Sequence, residues 1–477
     1  MEPDRQEYPI MDEATLKRRF ETAGQGHVFA GFDRLDAGTR AQFLATLETV
    51  DLDWVRARLD QYRKEKDAGP RRPELKPAPV IALPKTEAER ADRAAARAIG
   101  EEALRTGRLA AFVVAGGQGS RLGFEGPKGC YPIGAVTGRP LFRFHAEQIR
   151  ARAKRYGTVI PWYIMTSTAN DADTRAFFES NQYFGFDRKD VFFFPQAMVP
   201  SIDFEGKLIL AAPGELALNP DGHGGSLTAL AKSGAVADMK RRGIDTISYF
   251  QIDNPLITIC DPVFAGYHLR AGADMSSKIL EKCAPDEKVG AIAYIDGQLG
   301  VVEYSDLDPV NMHARDASGR LVYWAGSIAI HMLAVDFVER VGGHARLPWH
   351  VAVKKIPFAG ADGTVVKPEK ANGVKFETFV FDALPLTRAS ITMEVAREDE
   401  FAPVKNPDGI DSVVSCRELL TARAARWLEA AGIRVPRGAN GQPAQPIELS
   451  PLYALDEDDM RRKAPRAPDW QAPVVLE

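Results

Sequence analysis

Between Leu109 and Gly134 the chain reads LAAFVVAGGQGSRLGFEGPKGCYPIG. The apolar run stops at three glycines within four positions, Gly116, Gly117 and Gly119. Two cations follow, Arg121 and Lys128, seven residues apart on a segment that also holds Gly123, Gly126 and Pro127. A buried strand opening into glycines lets backbone N–H groups approach a ligand with no Cβ in the way, and fixed cations beside such a loop match the charge of a triphosphate. The common phosphate motifs are absent. Gly117, Gly119 and Gly123 are spaced G-x-G-x-x-x-G, not the G-x-G-x-x-G of dinucleotide folds, and Lys128 lies between Pro127 and Gly129 rather than in the Gly-Lys-Ser/Thr of a P-loop.

The elements that must position this loop alternate along the chain. AAFVVA, PWYIMTS, DVFFFPQ, DTISYFQID, SSKIL, GAIAYI and GVVEYS are short apolar or β-branched runs separated by amphipathic stretches such as Ser226 to Arg242, the pattern of an α/β sheet covered by helices. VGAIAYIDGQLGVVEYSDL predicts an antiparallel hairpin turning at Asp296 and Gly297. Upstream, Glu13 to about Lys66 is helical text, with Phe43, Leu47 and Val50 at helical spacing. A proline-punctuated stretch from Asp67 to Pro84 predicts an extended surface connector. Thr86 and Glu89 then form a capping-box pattern opening a helix that ends near Gly107. Beyond about Asp411 the text is helical and then proline-rich from Val435, predicting a small C-terminal lobe.

Composition sets the outer limits. A chain of 477 residues is too long for one core, and 45% hydrophobic with 26% charged residues is ordinary for a multidomain globular protein. A net charge of -4 gives no basic footprint for nucleic acid, although it leaves room for a local positive pocket. Cys130, Cys260, Cys283 and Cys416 fit neither a zinc pattern nor a disulfide framework and read as reduced thiols. The charged N-terminus lacks a signal-peptide core and no run is long enough to span a membrane, so a cytoplasmic location is expected.

GGQGSRLG followed by PKG resembles the L-x-x-G-G-x-G-T-R-L-G-x(4)-P-K signature of the eukaryotic-type UDP-sugar pyrophosphorylases, with Ser120 where threonine is usual. LNPDGHGGSLTAL, QIDNPLITICDPVFAGYH, GVVEYSD, LPWHVAVKKIPF, GVKFETFVFD and REDEFAPVKN are similar, in order and spacing, to segments of the UDP-N-acetylhexosamine pyrophosphorylases. The resemblance spans about Leu109 to Asn406. It implies a Rossmann-like, GT-A-like nucleotidyltransferase α/β domain with a mixed sheet at 108–410, after a helical N-terminal region at 1–107 and before a small C-terminal lobe at 411–477. It also implies UTP and a sugar 1-phosphate as substrates, Mg2+ as cofactor, and no nucleic-acid or membrane partner.

The implied reaction needs no general base, because a phosphate monoester with a second pKa of about 6 is ionised at neutral pH. It needs cations and positioning instead. The resemblance implies Gly116, Gly117, Gln196 and Gly222 around uracil, with Arg121, Lys128 and Lys405 on the phosphates. Gln196 suits that role because a side-chain amide both donates and accepts. Asp253, at the end of the strand ISYFQID, is the metal candidate. Glu303, Phe379 and Phe381 are the sugar-pocket candidates, the two phenylalanines alternating along an expected strand. His223 and Ser327 replace asparagines that the hexosamine enzymes usually carry in PDGNGG and GNIANH, which bears on whether N-acetylglucosamine 1-phosphate or glucose 1-phosphate is the acceptor. A nicotinamide-dependent oxidoreductase is disfavoured by the glycine spacing. A catalytically silent UDP-sugar-binding protein is disfavoured by the persistence of all four charged positions.

Overall fold

Ten strands form one mixed sheet, and its middle is made from the most apolar runs of the chain. In the computed structural model, which describes residues 12–68, 73–344, 347–360, 363–463 and 466–477, these are β1 (Leu75–Pro77), β2 (Leu109–Val114), β3 (Trp162–Thr166), β4 (Val191–Pro195), β5 (Thr246–Gln251), β6 (Met275–Glu281), β7 (Ala291–Ile295), β8 (Gln298–Val302), β9 (Ala325–Ala334) and β10 (Thr392–Glu394). The path runs β1-β7-β9-β5-β2-β3-β4, with β8 paired to β7, β6 to β9 and β10 to β6. One half, β5-β2-β3-β4, is parallel. Antiparallel pairs β5-β9, β9-β6, β9-β7 and β7-β8 make most of the rest. Strands buried on both faces, such as β2 and β3, are continuous hydrophobic runs, as a helix-covered parallel sheet demands.

The predicted hairpin forms between β7 and β8, and Asp296 and Gly297 both take positive φ, the geometry of its two-residue turn. The capping box at Thr86 and Glu89 is present and opens the helix Glu87–Arg105. Two expectations need correction. Ser226 to Arg242 is two helices, Gly225–Lys232 and Ala235–Arg241, because Gly234 between them is left-handed. Part of the proline-rich stretch is an edge strand: β1 pairs with β7, and Ile81 bonds to the Thr392 carbonyl. Its residues 69–72 lie outside the described residues.

The compact units also differ from the expected division into successive segments. One unit takes the described residues up to 68, Ala197–His223 and Pro348–Phe379; the other takes Pro73–Gln196, Gly224–Leu347 and Val380–Glu477. In the first, helices Glu13–Thr22, Ala37–Thr49 and Leu52–Asp67 are N-capped by Asp12, Asp36 and Asp51. They bury Phe20, Phe43 and Leu47 against Ile202, Val374 and Phe376. The last three come from the antiparallel sheet of Ile202–Asp203, Gly373–Glu377 and His350–Lys354. In the second unit, the segment expected to close the N-terminal region packs with the sheet, since Ala96, Ala103 and Leu104 share its main core. Residues 411–477 have their own small core around Leu428, Ile447 and Met460. The helix Val413–Ala430 also contributes Val413, Cys416 and Leu420 to a cluster with Ile133, Leu141 and Leu256. Chain order hides this arrangement because the excursions between units are set by long-range packing. All four cysteines are free. No described helix is long and apolar enough to cross a membrane.

Two histidines, His145 and His268, have pKa values pushed down to about 4, chiefly by burial. An unfolded histidine near 6.5 binds a proton that the folded one refuses, so their contribution is complete above pH 6.5 and is lost as pH falls towards 4. Each should cost about 1.4 kcal/mol per pH unit inside that window. Thermal melts from pH 7.5 to 4.5 should show stability falling below 6.5; a flat profile down to pH 5 contradicts the burial argument.

Candidate active site

The carboxyl ends of β2, β3, β4 and β5 lie on one edge of the sheet because these strands are parallel, and open α/β sheets bind ligands there. The glycine loop leaves β2 and is held largely by the segment after β3. Ser167 Oγ donates to the Gly116 carbonyl at 2.9 Å, and Asn170 Nδ2 donates to Ala115 O at 3.0 Å and Gly117 O at 3.3 Å. Within the loop, Lys128 N donates to Gly117 O at 3.0 Å and Gly119 N to Gly126 O at 2.9 Å. The carbonyls are thus taken by neighbouring donors.

Gln196 follows β4, is buried, and sits over Gly116. A Cβ at position 116 would come within 2.5 Å of Gln196 Oε1, so the amide rests where only glycine leaves room. Nothing lies within 4 Å of the corresponding point on Gly117, and that side of the loop is open. Gly116 and Gln196, both expected at the uracil, are neighbours in the fold.

Asp253 lies two residues beyond β5, in a turn rather than in the strand. Its Oδ2 is 3.8 Å from Lys128 Nζ, which also reaches the Val404 carbonyl at 3.4 Å. The turn is stitched to a distant segment. Val404 N donates to the Asp253 carbonyl at 2.9 Å, Asn254 Nδ2 donates to Glu400 O at 2.7 Å, and Ala402 N donates to Asn254 Oδ1 at 3.0 Å. This brings Lys405 to the same place, its Nζ 3.5 Å from Asp411 Oδ2 and 5.5 Å from the Phe401 ring centre. Arg121 is exposed and makes no hydrogen bond or ion pair among the described residues.

A cavity of about 180 Å³ is lined by Asp253, Lys405, Glu303 and Ser327, together with Gln251 and Lys288. Glu303 reaches it from just past β8, and Ser327 from β9. Four of the residues singled out from sequence therefore line one cavity, and Lys128 joins them through Asp253. Among the described residues no three His, Cys, Asp or Glu side chains are grouped to hold a metal by themselves.

Gly222, His223 and Phe379 belong to the other unit. Gly222 has φ +87°, and a Cβ there would come within 2.3 Å of the Thr378 carbonyl, so its glycine is required by close backbone packing. The Phe379 ring stacks on both His223 and His350, with centres 5.2 and 4.4 Å apart. The expected strand through Phe379 and Phe381 ends at Glu377. Phe381 is buried in a 3-10 helix, Val380–Leu386, so the alternation reflected two different environments rather than two strand faces.

Residues that sequence reasoning missed are the polar clamps. His145, beneath the turn, donates from Nε2 to the Ile252 carbonyl at 3.0 Å and is held neutral by burial. Ser167, Asn170 and Asn254 carry no sequence motif that marks them.

A mixed sheet whose parallel strand ends present a glycine loop, a carboxylate and two lysines has the architecture of nucleotide-handling α/β proteins. The model of the UTP–glucose-1-phosphate uridylyltransferase family matches residues 68–468, and the chain belongs to that family; it is a nucleotidyltransferase. The chain is 36% identical over 471 residues to the UDP-N-acetylhexosamine pyrophosphorylase-like protein 1 of Xenopus tropicalis, covering 92% of this chain and 91% of that one. It is also 36% identical over 470 residues to UDP-N-acetylglucosamine diphosphorylase 2 of Arabidopsis thaliana, with 93% and 90% covered. The solved UDP-N-acetylglucosamine pyrophosphorylase of Trypanosoma brucei, in complex with an inhibitor, superimposes with a TM-score of 0.83 at 28% identity, covering 98% of this chain and 99% of that one.

Asn170 is buried and bonded to two loop carbonyls, so Asn170→Ala should destabilise the protein by about 1–3 kcal/mol. Urea unfolding measures this, and an unchanged midpoint would show that the loop is held some other way.

Proposed function

We propose that this chain joins UTP and N-acetylglucosamine 1-phosphate to give UDP-N-acetylglucosamine and pyrophosphate. The observation that carries the reading is the meeting of Lys128, Asp253 and Lys405 beside the glycine loop, in a cavity that Glu303 and Ser327 also line. An oxygen of the sugar phosphate attacks the α-phosphorus of UTP. The bond from that phosphorus to the bridging oxygen breaks, and pyrophosphate leaves with the electron pair. Both reactants are anions, so the barrier is set by repulsion and orientation rather than by proton removal.

The uracil sits against Gly116 and Gly117, where the Gln196 amide donates to and accepts from its edge. Lys128 bridges from the loop to the reacting phosphate, the exposed Arg121 neutralises the outer phosphates, and Lys405 holds the sugar phosphate. Glu303 accepts from sugar hydroxyls, while Ser327, Gly222, His223, Phe379 and Phe381 complete the assignment made from the sequence. Asp253 fits Mg2+ as one carboxylate of a site that substrate phosphates complete, the usual arrangement for a hard cation that retains water. When bound, the ion withdraws charge from the phosphates. Cytoplasmic location is part of the same proposal.

Lys128→Ala and Asp253→Asn should each lower kcat/KM by at least about 100-fold, as loss of a charge-stabilising group does, with far-UV circular dichroism unchanged. Pyrophosphate release with UTP and, in turn, the 1-phosphates of N-acetylglucosamine, N-acetylgalactosamine and glucose checks the acceptor. Preference for glucose 1-phosphate would replace the N-acetylglucosamine assignment and would be consistent with His223 and Ser327 departing from asparagine.

A further inference from the structure

A second cavity, about 340 Å³, lies within the sheet-bearing unit and takes no part in the proposed reaction. Six arginines line it: Arg93, Arg97, Arg152, Arg155, Arg423 and Arg426. Three are neutralised, Arg97 by Glu101, Arg155 by Asp456 and Asp459, and Arg426 by Asp399. The other three have no carboxylate of their own. Arg152 is 3% exposed, its Nε is without a partner, and it makes no hydrogen bond or ion pair among the described residues. Arg93 is half-buried, with Nη1 buried and unpartnered, and it too makes no hydrogen bond or ion pair among the described residues. Arg423 donates only to the carbonyls of Leu256, at 2.8 Å, and Asp399, at 3.4 Å, and lies over Trp427.

The acidic residues nearby do not cancel this charge. Asp261 and Glu400 line the cavity, but the fully buried Lys278 takes both, at 2.8 and 2.6 Å. That trio keeps a single negative charge. Glu457 is taken by Arg461, and Arg155 with its two carboxylates carries one further negative charge, so the three guanidiniums without an ion-pair partner leave a net excess of about one positive charge, part of it felt by Asp261. A buried cation with unused donors costs several kcal/mol unless something supplies acceptors, and a planar guanidinium fork matches a tetrahedral oxyanion in two-point contact.

We propose that this cavity is a binding site for the phosphate group of a small phosphomonoester, held by Arg93, Arg152 and Arg423. The phosphate oxygens supply the acceptors that the unpartnered guanidinium donors lack, and the volume admits the phosphate with a body of about one sugar ring. The site is separate from the proposed uridylyl-transfer site, and its existence does not depend on that assignment.

The test is calorimetric titration of the full-length protein with glucose 6-phosphate and, in a separate arm, with inorganic phosphate. Saturable binding is expected. Tighter binding of glucose 6-phosphate marks a phosphorylated metabolite as the natural occupant, and equal binding marks free phosphate. Arg152→Met and Arg93→Gln should each weaken binding about 10- to 100-fold, as the loss of charged hydrogen bonds does. The ligand-free melting temperature should stay unchanged or rise in Arg152→Met, because an unpaired buried charge has been removed. If Arg152→Met fails to fold, Arg93→Gln carries the same readout from the half-buried side. Lys128→Ala should bind as the wild type does. No binding of either probe up to about 10 mM, or binding lost in Lys128→Ala and kept in the two arginine variants, overturns the proposal.

Discussion

A single buried ammonium holds the working edge of this protein together. Lys278, on β6, is wholly removed from solvent and bonded to Asp261 and Glu400, which belong to the segments following β5 and β10. An uncompensated charge in that position would be driven to neutrality. The two carboxylates hold Lys278 charged, its affinity for the proton raised above the ordinary lysine value despite burial. Because the carboxylates come from different stretches of chain, the trio ties the turn carrying Asp253 to the strip carrying Lys405. The hydrogen bonds of Asn254 to residues 400 and 402 run the same way.

The site itself is built on a contrast in how polar groups are treated. The glycine loop's carbonyls are engaged by Ser167, Asn170 and Lys128 N, while Arg121 is left free among the described residues. Lys128 lies 3.8 Å from Asp253, a loose pairing that on the proposed roles leaves the ammonium for phosphate and the carboxylate for a cation. Structural ion pairs elsewhere are closer, as between Arg139 and Glu147 at 2.8 Å, and spend their charge internally. At the candidate site, by contrast, the loose Lys128–Asp253 pair and the exposed Arg121 leave charge uncommitted.

Local chemistry was legible in the sequence. The capping box at Thr86, the turn at Asp296 and Gly297, the apolar strands and the glycine loop are each decided by a few adjacent residues, and each stands where the text put it. Distant partnerships were not. Asn254 and Glu400 are 146 residues apart, and nothing in either neighbourhood names the other. The division into units escaped for the same reason, since the chain passes between them at positions such as Gln196 and Phe379 that carry no linker composition. Phe379 and Phe381 misled because a two-residue alternation also arises where a strand ends and a 3-10 helix begins.

The two halves of the sheet divide the candidate residues of the sheet-bearing unit between them. The glycine loop and Gln196 hang from parallel strands β2 and β4, whereas Glu303 and Ser327 come from the antiparallel ladder of β8 and β9. On the roles proposed for these residues, substitutions at Glu303 and Ser327 can redraw the acceptor side of β5 while the loop and Gln196 on its other side stay fixed. An architecture partitioned this way favours diversification by sugar over diversification by base.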